Sequence, residues 1–359
     1  MALMASALLA TASLDGAPGK KVAFIGNSYI YYNDLPRLMQ AMTDDRGGGI
    51  GFTAHCVRGG ASLPELIEKG SRAPAPGADA EFHAVSVQDL LLGNGGDGNT
   101  APWDAVVMND YSQASPRPSE RAKTLTSLRD SYAPLLNQCG AQLVVLYVPP
   151  AYRAHVMGSA SLGTWEEFTR LQGEGHAVYA HALEQALREC ASKEQSESVG
   201  GGSKAPGSLM GGAVRDIVGG AETGDGAPKK RSGLSSAPPR VALADVNGAF
   251  ARVRADRPAL WERLFCEDDF HPSPSGSYLA ALVILRALGV ERGSLANGIA
   301  NADKAGEAAA EGVVGKEAAA QFFKHARLPL GMGQPAGGSL PSSGDMGYLC
   351  SVAFGDSLL

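Results

Sequence analysis

The stretch KKVAFIGNSYIYYNDLP, Lys20 to Pro36, sets an apolar run, Val22-Ala23-Phe24-Ile25, directly against Gly26-Asn27-Ser28. A short run of this kind, bounded by Lys on one side and Gly on the other, reads as a strand buried on both faces. Gly, Asn and Ser are common turn residues, so an ordinary strand-to-helix turn is one reading. The other is a nucleophile held at the edge of a sheet, because the strand delivers Ser28 at its tip. Helical spacing follows at once: Leu35, Leu38, Met39 and Met42 recur through Leu35 to Thr43.

Working outward, strand and helix signals alternate. Gly51 to Val57 reads as a second strand, closing on Arg58-Gly59-Gly60-Ala61-Ser62-Leu63, and Pro64 to Lys69 suits a helix start, where proline is tolerated. Trp103 to Met108 is a third strand, Ala141 to Val148 a fourth and Val241 to Val246 a fifth. Helical spacing fills Ser119 to Asn137, Phe168 to Ser192 and Ser275 to Leu288. The alternation predicts a parallel sheet with helices on both faces. From Lys193 to Arg240 the pattern breaks into Gly, Ser, Lys, Ala and Pro, a composition that buries too little apolar surface to offset the entropy of ordering. That segment is expected to be a disordered insertion within one domain spanning about 20–290. Residues 1–19 form an N-terminal segment in which Met1 to Ser13 looks like the apolar part of a signal peptide without its leading positive charge, leaving secretion open. The tail, 291–359, has Ala- and Glu-rich helical stretches and a Gly- and Pro-rich end, and receives no role.

Composition narrows the function classes. The chain has 359 residues, 44% of them apolar and 19% charged, with a formal net charge of −6. A basic patch or stripe, the usual footprint of nucleic-acid binding, is not supported by that balance. The 46 glycines are not periodic, which excludes a collagen-like chain. Five scattered cysteines show no metal-type or paired spacing, and no apolar run approaches the ~20 residues that span a bilayer. His55, His83, His155, His176 and His181 form no metal-type cluster, and Gly93 to Gly98 precedes a strand rather than following one, which argues against a phosphate cradle.

The remaining constellation is CEDDFHPSPSGSYLAALVIL, Cys266 to Leu285, in which Asp268 lies three residues before His271. A carboxylate this close fixes an imidazole's tautomer and stabilises its protonated form. Alone, the D-x-x-H spacing is a weak signal, and an exposed His beside acidic residues is the simpler reading. Joined to Ser28 it means more. In a parallel sheet with right-handed crossovers, both ends of the domain reach the carboxyl edge, where open α/β sheets bind ligands. A serine hydroxyl there needs an adjacent base, and an oxyanion needs positioned donors.

These segments together resemble the SGNH (GDSL-like) hydrolases, in a divergent branch whose first motif reads G-N-S. The resemblance lies in VAFIGNSYIYYNDLP, RGGASL, WDAVVMNDYSQASP and DDFHPSPSGSYLAA, with ADVNGAF before the last. It implies a flavodoxin-like three-layer α/β/α sandwich with a parallel sheet, the SGNH hydrolase fold. It further implies hydrolysis of carboxylic esters, of small acyl, lipid or acetylated-carbohydrate type, through an acyl-serine and without metal or organic cofactor. By the same resemblance Ser28 matches the nucleophile, His271 the base and Asp268 its partner, while Ser28 N–H and Gly60 N–H match oxyanion donors. The third donor is usually an Asn after strand three. Counting from Asp104, Gln113 falls at that position and is the expected donor; Asn109, followed by Asp110, has the familiar residue type but sits four residues earlier, in the strand by this count, and is the alternative. Asn27 stands where the commoner motif has Asp. Tyr29, Tyr31 and Tyr32 are candidates either to line a cleft or to pack. Acyl transfer by the same triad, and a non-catalytic carbohydrate- or lipid-binding protein on the same fold, are the alternative readings. Oligomeric state is not legible.

Overall fold

The computed structural model describes residues 19–43, 49–72, 85–93, 102–200, 237–292, 295 and 341–355. The leader-like stretch, most of the insertion and residues 296–340 lie outside the described residues. The strands are β1 (Lys20–Gly26), β2 (Ile50–Val57), β3 (Ala105–Met108), β4 (Leu143–Tyr147) and β5 (Arg240–Ala244). They form one sheet in the order β2-β1-β3-β4-β5, and every pairing is parallel. That is the flavodoxin-like order, with its switch point between β1 and β3.

The continuous apolar runs find their explanation in two cores. In β1, Val22 and Phe24 face one layer while Ala23 and Ile25 face the other, and the same alternation runs through Val107 against Val106 and Val145 against Val144. The first layer holds α1 (Ser28–Tyr31), α2 (Leu35–Met42), α8 (Val246–Asp256) and α10 (Pro274–Ala287). The second holds α3 (Leu63–Lys69), α4 (Val87–Leu92), α5 (Pro118–Ser127), α6 (Ala133–Gln138) and α7 (Trp165–Gly200). The layers and sheet order are those of a flavodoxin-like three-layer α/β/α sandwich.

Several boundaries differ from the sequence reading for physical reasons. The helix expected over Ser119 to Asn137 is broken by a π turn, Leu128–Tyr132, which ends one residue short of Pro134. Proline has no N–H to donate and its ring crowds the preceding turn, so the wider turn absorbs the misfit. The fifth strand ends at Ala244 because Asp245 caps α8, its Oδ1 accepting the Gly248 N–H at 2.8 Å. Helix α7 runs on through Gly200, beyond the start expected for the insertion. In the tail, α11 (Ser343–Phe354) packs against α10 and α8 as part of the first core. The short α9 (Pro258–Glu262) completes the set of described helices. Among the described residues no helix is long and apolar enough to cross a membrane.

Candidate active site

Ser28 is the first residue of α1, at the carboxyl end of β1 beside the switch point. Asn27 caps that helix by accepting the Tyr29 N–H, and it does much more. Its Nδ2 donates to Ala61 O and to Asp110 O, both at 3.0 Å, and its N–H donates to Asn109 Oδ1 at 2.9 Å. The loops after β2 and β3 are thereby fastened to the serine turn. An aspartate here would lack both side-chain donors, which accounts for an amide where the commoner motif has an acid. Gly26 is equally constrained: a Cβ built on it would stand 2.1 Å from Asn109 Oδ1. Ser28 itself is buried, its N–H makes no backbone hydrogen bond, and the Tyr31 phenol lies beside its hydroxyl. Burial raises the Tyr31 phenol, with the Ser28 hydroxyl acting the other way.

The loop carrying His271 is built by Asp268. Asp268 Oδ1 accepts the N–H groups of Phe270 (3.2 Å) and His271 (3.0 Å), curling the loop on itself, and Oδ2 accepts from His271 Nδ1 at 2.6 Å. Burial would raise this carboxyl, but the His271 ring and N–H and the Phe270 N–H outweigh it and hold the group below its ordinary value. An ionised carboxylate only accepts, so Nδ1 is the donor in this bond, and in the neutral imidazole the lone pair lies on Nε2. Nε2 is buried and has no hydrogen-bond partner, so the serine–imidazole hydrogen bond is not made in this structure. Asp269 serves a different end: at φ 69° it turns the chain, and its Oδ1 binds Arg153 at 2.5 Å.

Contacts from three residues bring the serine segment and the histidine loop together. Tyr29 OH donates to Phe270 O (2.8 Å), Asn33 Nδ2 donates to Pro272 O (3.1 Å) and to Ser277 Oγ (2.8 Å), and the Tyr32 ring stacks on His271. Of the three tyrosines, Tyr29 is buried and packs, while Tyr31 and Tyr32 are half-buried. Asn33 escaped the sequence reading. Its signal was Asn-Asp ahead of Leu-Pro, since these residues tolerate left-handed backbone and mark turns.

The proposed oxyanion residues are placed as follows. Gly60 lies in the exposed turn after β2 at φ +67°, where a Cβ would meet nothing within 4 Å, so backbone conformation rather than space calls for glycine. Its N–H makes no backbone hydrogen bond. Asn109 directly follows β3, not within it, and touches the serine turn: its Nδ2 donates to Asn27 Oδ1 (3.1 Å) and Asp110 O (2.9 Å). Gln113 is held further along the loop, its Nε2 donating to Met157 O (2.7 Å) and Tyr152 OH (3.4 Å) while its Oε1 accepts from Arg117. Both N–H groups of each amide are thus engaged. Asp110, the acid of the Asn-Asp pair, is a buried hub that accepts from Leu63 N–H, Thr124 and Tyr179. Burial raises its carboxyl, against those donors.

No protein-family model matches the chain, and no curated protein matches it. Among solved structures, a DUF4886 family protein from Bacteroides uniformis aligns with a TM-score of 0.44 at 14% identity, over 85% of this chain and 93% of that one. A catalytic mutant of Axe2, an acetylxylan esterase from Geobacillus stearothermophilus, aligns at 0.36 and 14% identity, over 77% of this chain and 98% of that one. Likenesses this remote carry no weight for activity, which has to be argued from the residues themselves.

Proposed function

We propose that the protein is a serine hydrolase of the SGNH type that cleaves carboxylic esters through an acyl-serine intermediate. The observation that carries this reading is the Asp268–His271 pair, with an unpartnered Nε2, tied by Tyr29, Tyr32 and Asn33 to the turn that bears Ser28. In the reaction Nε2 takes the Ser28 proton as Oγ attacks the ester carbonyl, and Asp268 stabilises the imidazolium. The imidazolium then protonates the departing alcohol, and water repeats the sequence on the acyl-enzyme. The Ser28 and Gly60 N–H groups meet the oxyanion. Contact with the serine turn favours Asn109 over Gln113 as the side-chain donor, and either amide must give up a present bond to serve. Nucleophile–base hydrogen bonds often tighten only once substrate is bound, so the unmade serine–imidazole bond is compatible with this role.

A fluorophosphonate probe tests the reading. Labelling of the wild type that disappears in Ser28→Ala is the expected result; a folded wild type that neither labels nor hydrolyses p-nitrophenyl acetate would refute it. In the same assay Asn109→Ala should lower kcat by ~10²–10³ with little change in KM, the usual cost of one oxyanion donor. A loss of that size in Gln113→Ala instead would move the role to Gln113. A panel of p-nitrophenyl esters of increasing chain length, with acetylated polysaccharide beside it, then reads the substrate.

A further inference from the structure

The Nδ1–Asp268 hydrogen bond fixes one vertex of the His271 imidazole and leaves its plane to be set by other groups. The Tyr32 ring lies almost parallel to it, with centroids 3.9 Å apart and an interplanar angle of 12°. Phe270 approaches to 3.9 Å at 39°. Two rings at that distance cannot share one face, so the imidazole is sandwiched. Among the described residues the Tyr32 hydroxyl has no hydrogen-bond partner, and the residue meets His271 through its ring. Burial, followed by the Asp268 charge, pushes the phenol up to about 12, keeping the ring neutral.

The backbone around Tyr32 is unusual in a way that bears on this. Asn33 and Asp34, the two residues after it, both lie in the left-handed region at φ 54° and 49°. Consecutive non-glycine residues there are uncommon, and such conformations persist only when surrounding structure enforces them. Here the enforcement is visible: Asn33 is buried and its amide bonds Pro272 O and Ser277 Oγ, on either side of the start of α10. The kink turns the chain away from α1 at the point where Tyr32 meets the histidine.

We propose that Tyr32 is a positioning residue for the base: its ring, seated by the Asn33 kink, sets the plane of the His271 imidazole against which Ser28 must align. This rests on the hydrolase reading above and adds to it a residue that acts through His271 rather than on the substrate. A ring of the same shape without the hydroxyl should do the same work, and an aliphatic side chain of similar bulk should not.

The experiment compares wild type, Tyr32→Phe and Tyr32→Leu, with kcat and KM for p-nitrophenyl acetate, the rate of fluorophosphonate labelling and the melting temperature of each. Tyr32→Phe should keep kcat within about twofold, and Tyr32→Leu should lose about 10–100-fold in kcat and labelling rate with KM little changed, the scale expected for a misplaced catalytic group. A parallel measurement does not depend on either Tyr32 variant folding. The ring protons of His271, one of seven histidines and assigned by comparison with His271→Gln, should lie upfield in the wild-type spectrum because of the stacked ring. Ordinary His271 shifts in the wild type, or equal kcat in the Phe and Leu variants, would overturn the role of Tyr32. Wild-type labelling that depends on Ser28 leaves the hydrolase reading standing in either case. A wild type that does not label removes both.

Discussion

Asn27 shows what a single atom decides in this site. Its Nδ2 bonds two carbonyls, one from each neighbouring loop, and an oxygen in that place would face both with no proton to share. Asn27→Asp is nearly isosteric, so its cost is electrical rather than steric. Leaving buried acceptors without a donor costs about 1–3 kcal/mol, and the variant should melt correspondingly lower at pH 7. The deficit should shrink as the pH falls far enough to protonate the new carboxyl, which regains one donor. Equal melting of the two proteins at pH 7 would show that the two loops are held by other contacts. At this scale the Asp268–His271 hydrogen bond could be read from the D-x-x-H spacing, because the loop closes on itself with Asp268 as its own cap. Spacing from Asp104 points to Gln113 ahead of Asn109, and that choice turns on where β3 stops; a strand of four residues gives no margin for a miscounted register.

Helix α7 carries a titratable group that no site uses. His176 is buried on it, Nδ1 donating to Gln172 O at 2.9 Å and Nε2 without a partner. Burial lowers its midpoint from 6.5 to about 4. Between those two values the unfolded chain holds a proton that the folded chain refuses, so stability falls as the pH drops from neutrality. The full effect is about 3 kcal/mol, of which about 2 should be lost by pH 5. Urea midpoints at pH 7 and pH 5 read this directly, and His176→Gln should make them draw together. A variant that keeps the whole of the wild-type difference would place the acid sensitivity elsewhere. The spacing of α7 was clear from its apolar residues, yet nothing in that spacing said that His176 lies inside. Burial on a long helix depends on what packs across it, and Gly175 is the trace of that packing: a Cβ there would stand 2.3 Å from Ser115 O.

For the molecule as a whole, the sheet was legible because strands buried on both faces must be apolar throughout, and that property survives in a single sequence. The closing of the first core was not. Helix α10 is buried along its whole length from Ser275 to Leu285, and a helix apolar all round needs cover on every side. The sheet, α2 and α8 leave one side open, and α11, some fifty residues further along the chain, fills it. Leu349 and Cys350 are fully buried in that contact. Its rim is fixed by Arg263 to Asp345 at 2.9 Å, Arg286 to Ala353 O at 2.8 Å and Arg257 over the Tyr348 ring at 3.9 Å. The Arg263–Asp345 ion pair is partly exposed and worth little alone, so the apolar face carries the helix. A chain ending at residue 340 should therefore expose the outer side of α10, bind a hydrophobic dye and aggregate on mild heating. Leu349→Ala, the gentler variant, should fold and lose about 2–5 kcal/mol in urea denaturation. Unchanged melting of the shortened chain would mean that α11 docks without supporting the core. The expected loss would instead make α11 the far wall of the helix whose first turn follows His271, so that ester hydrolysis in the Leu349 variant should fail at a lower temperature in step with the melt.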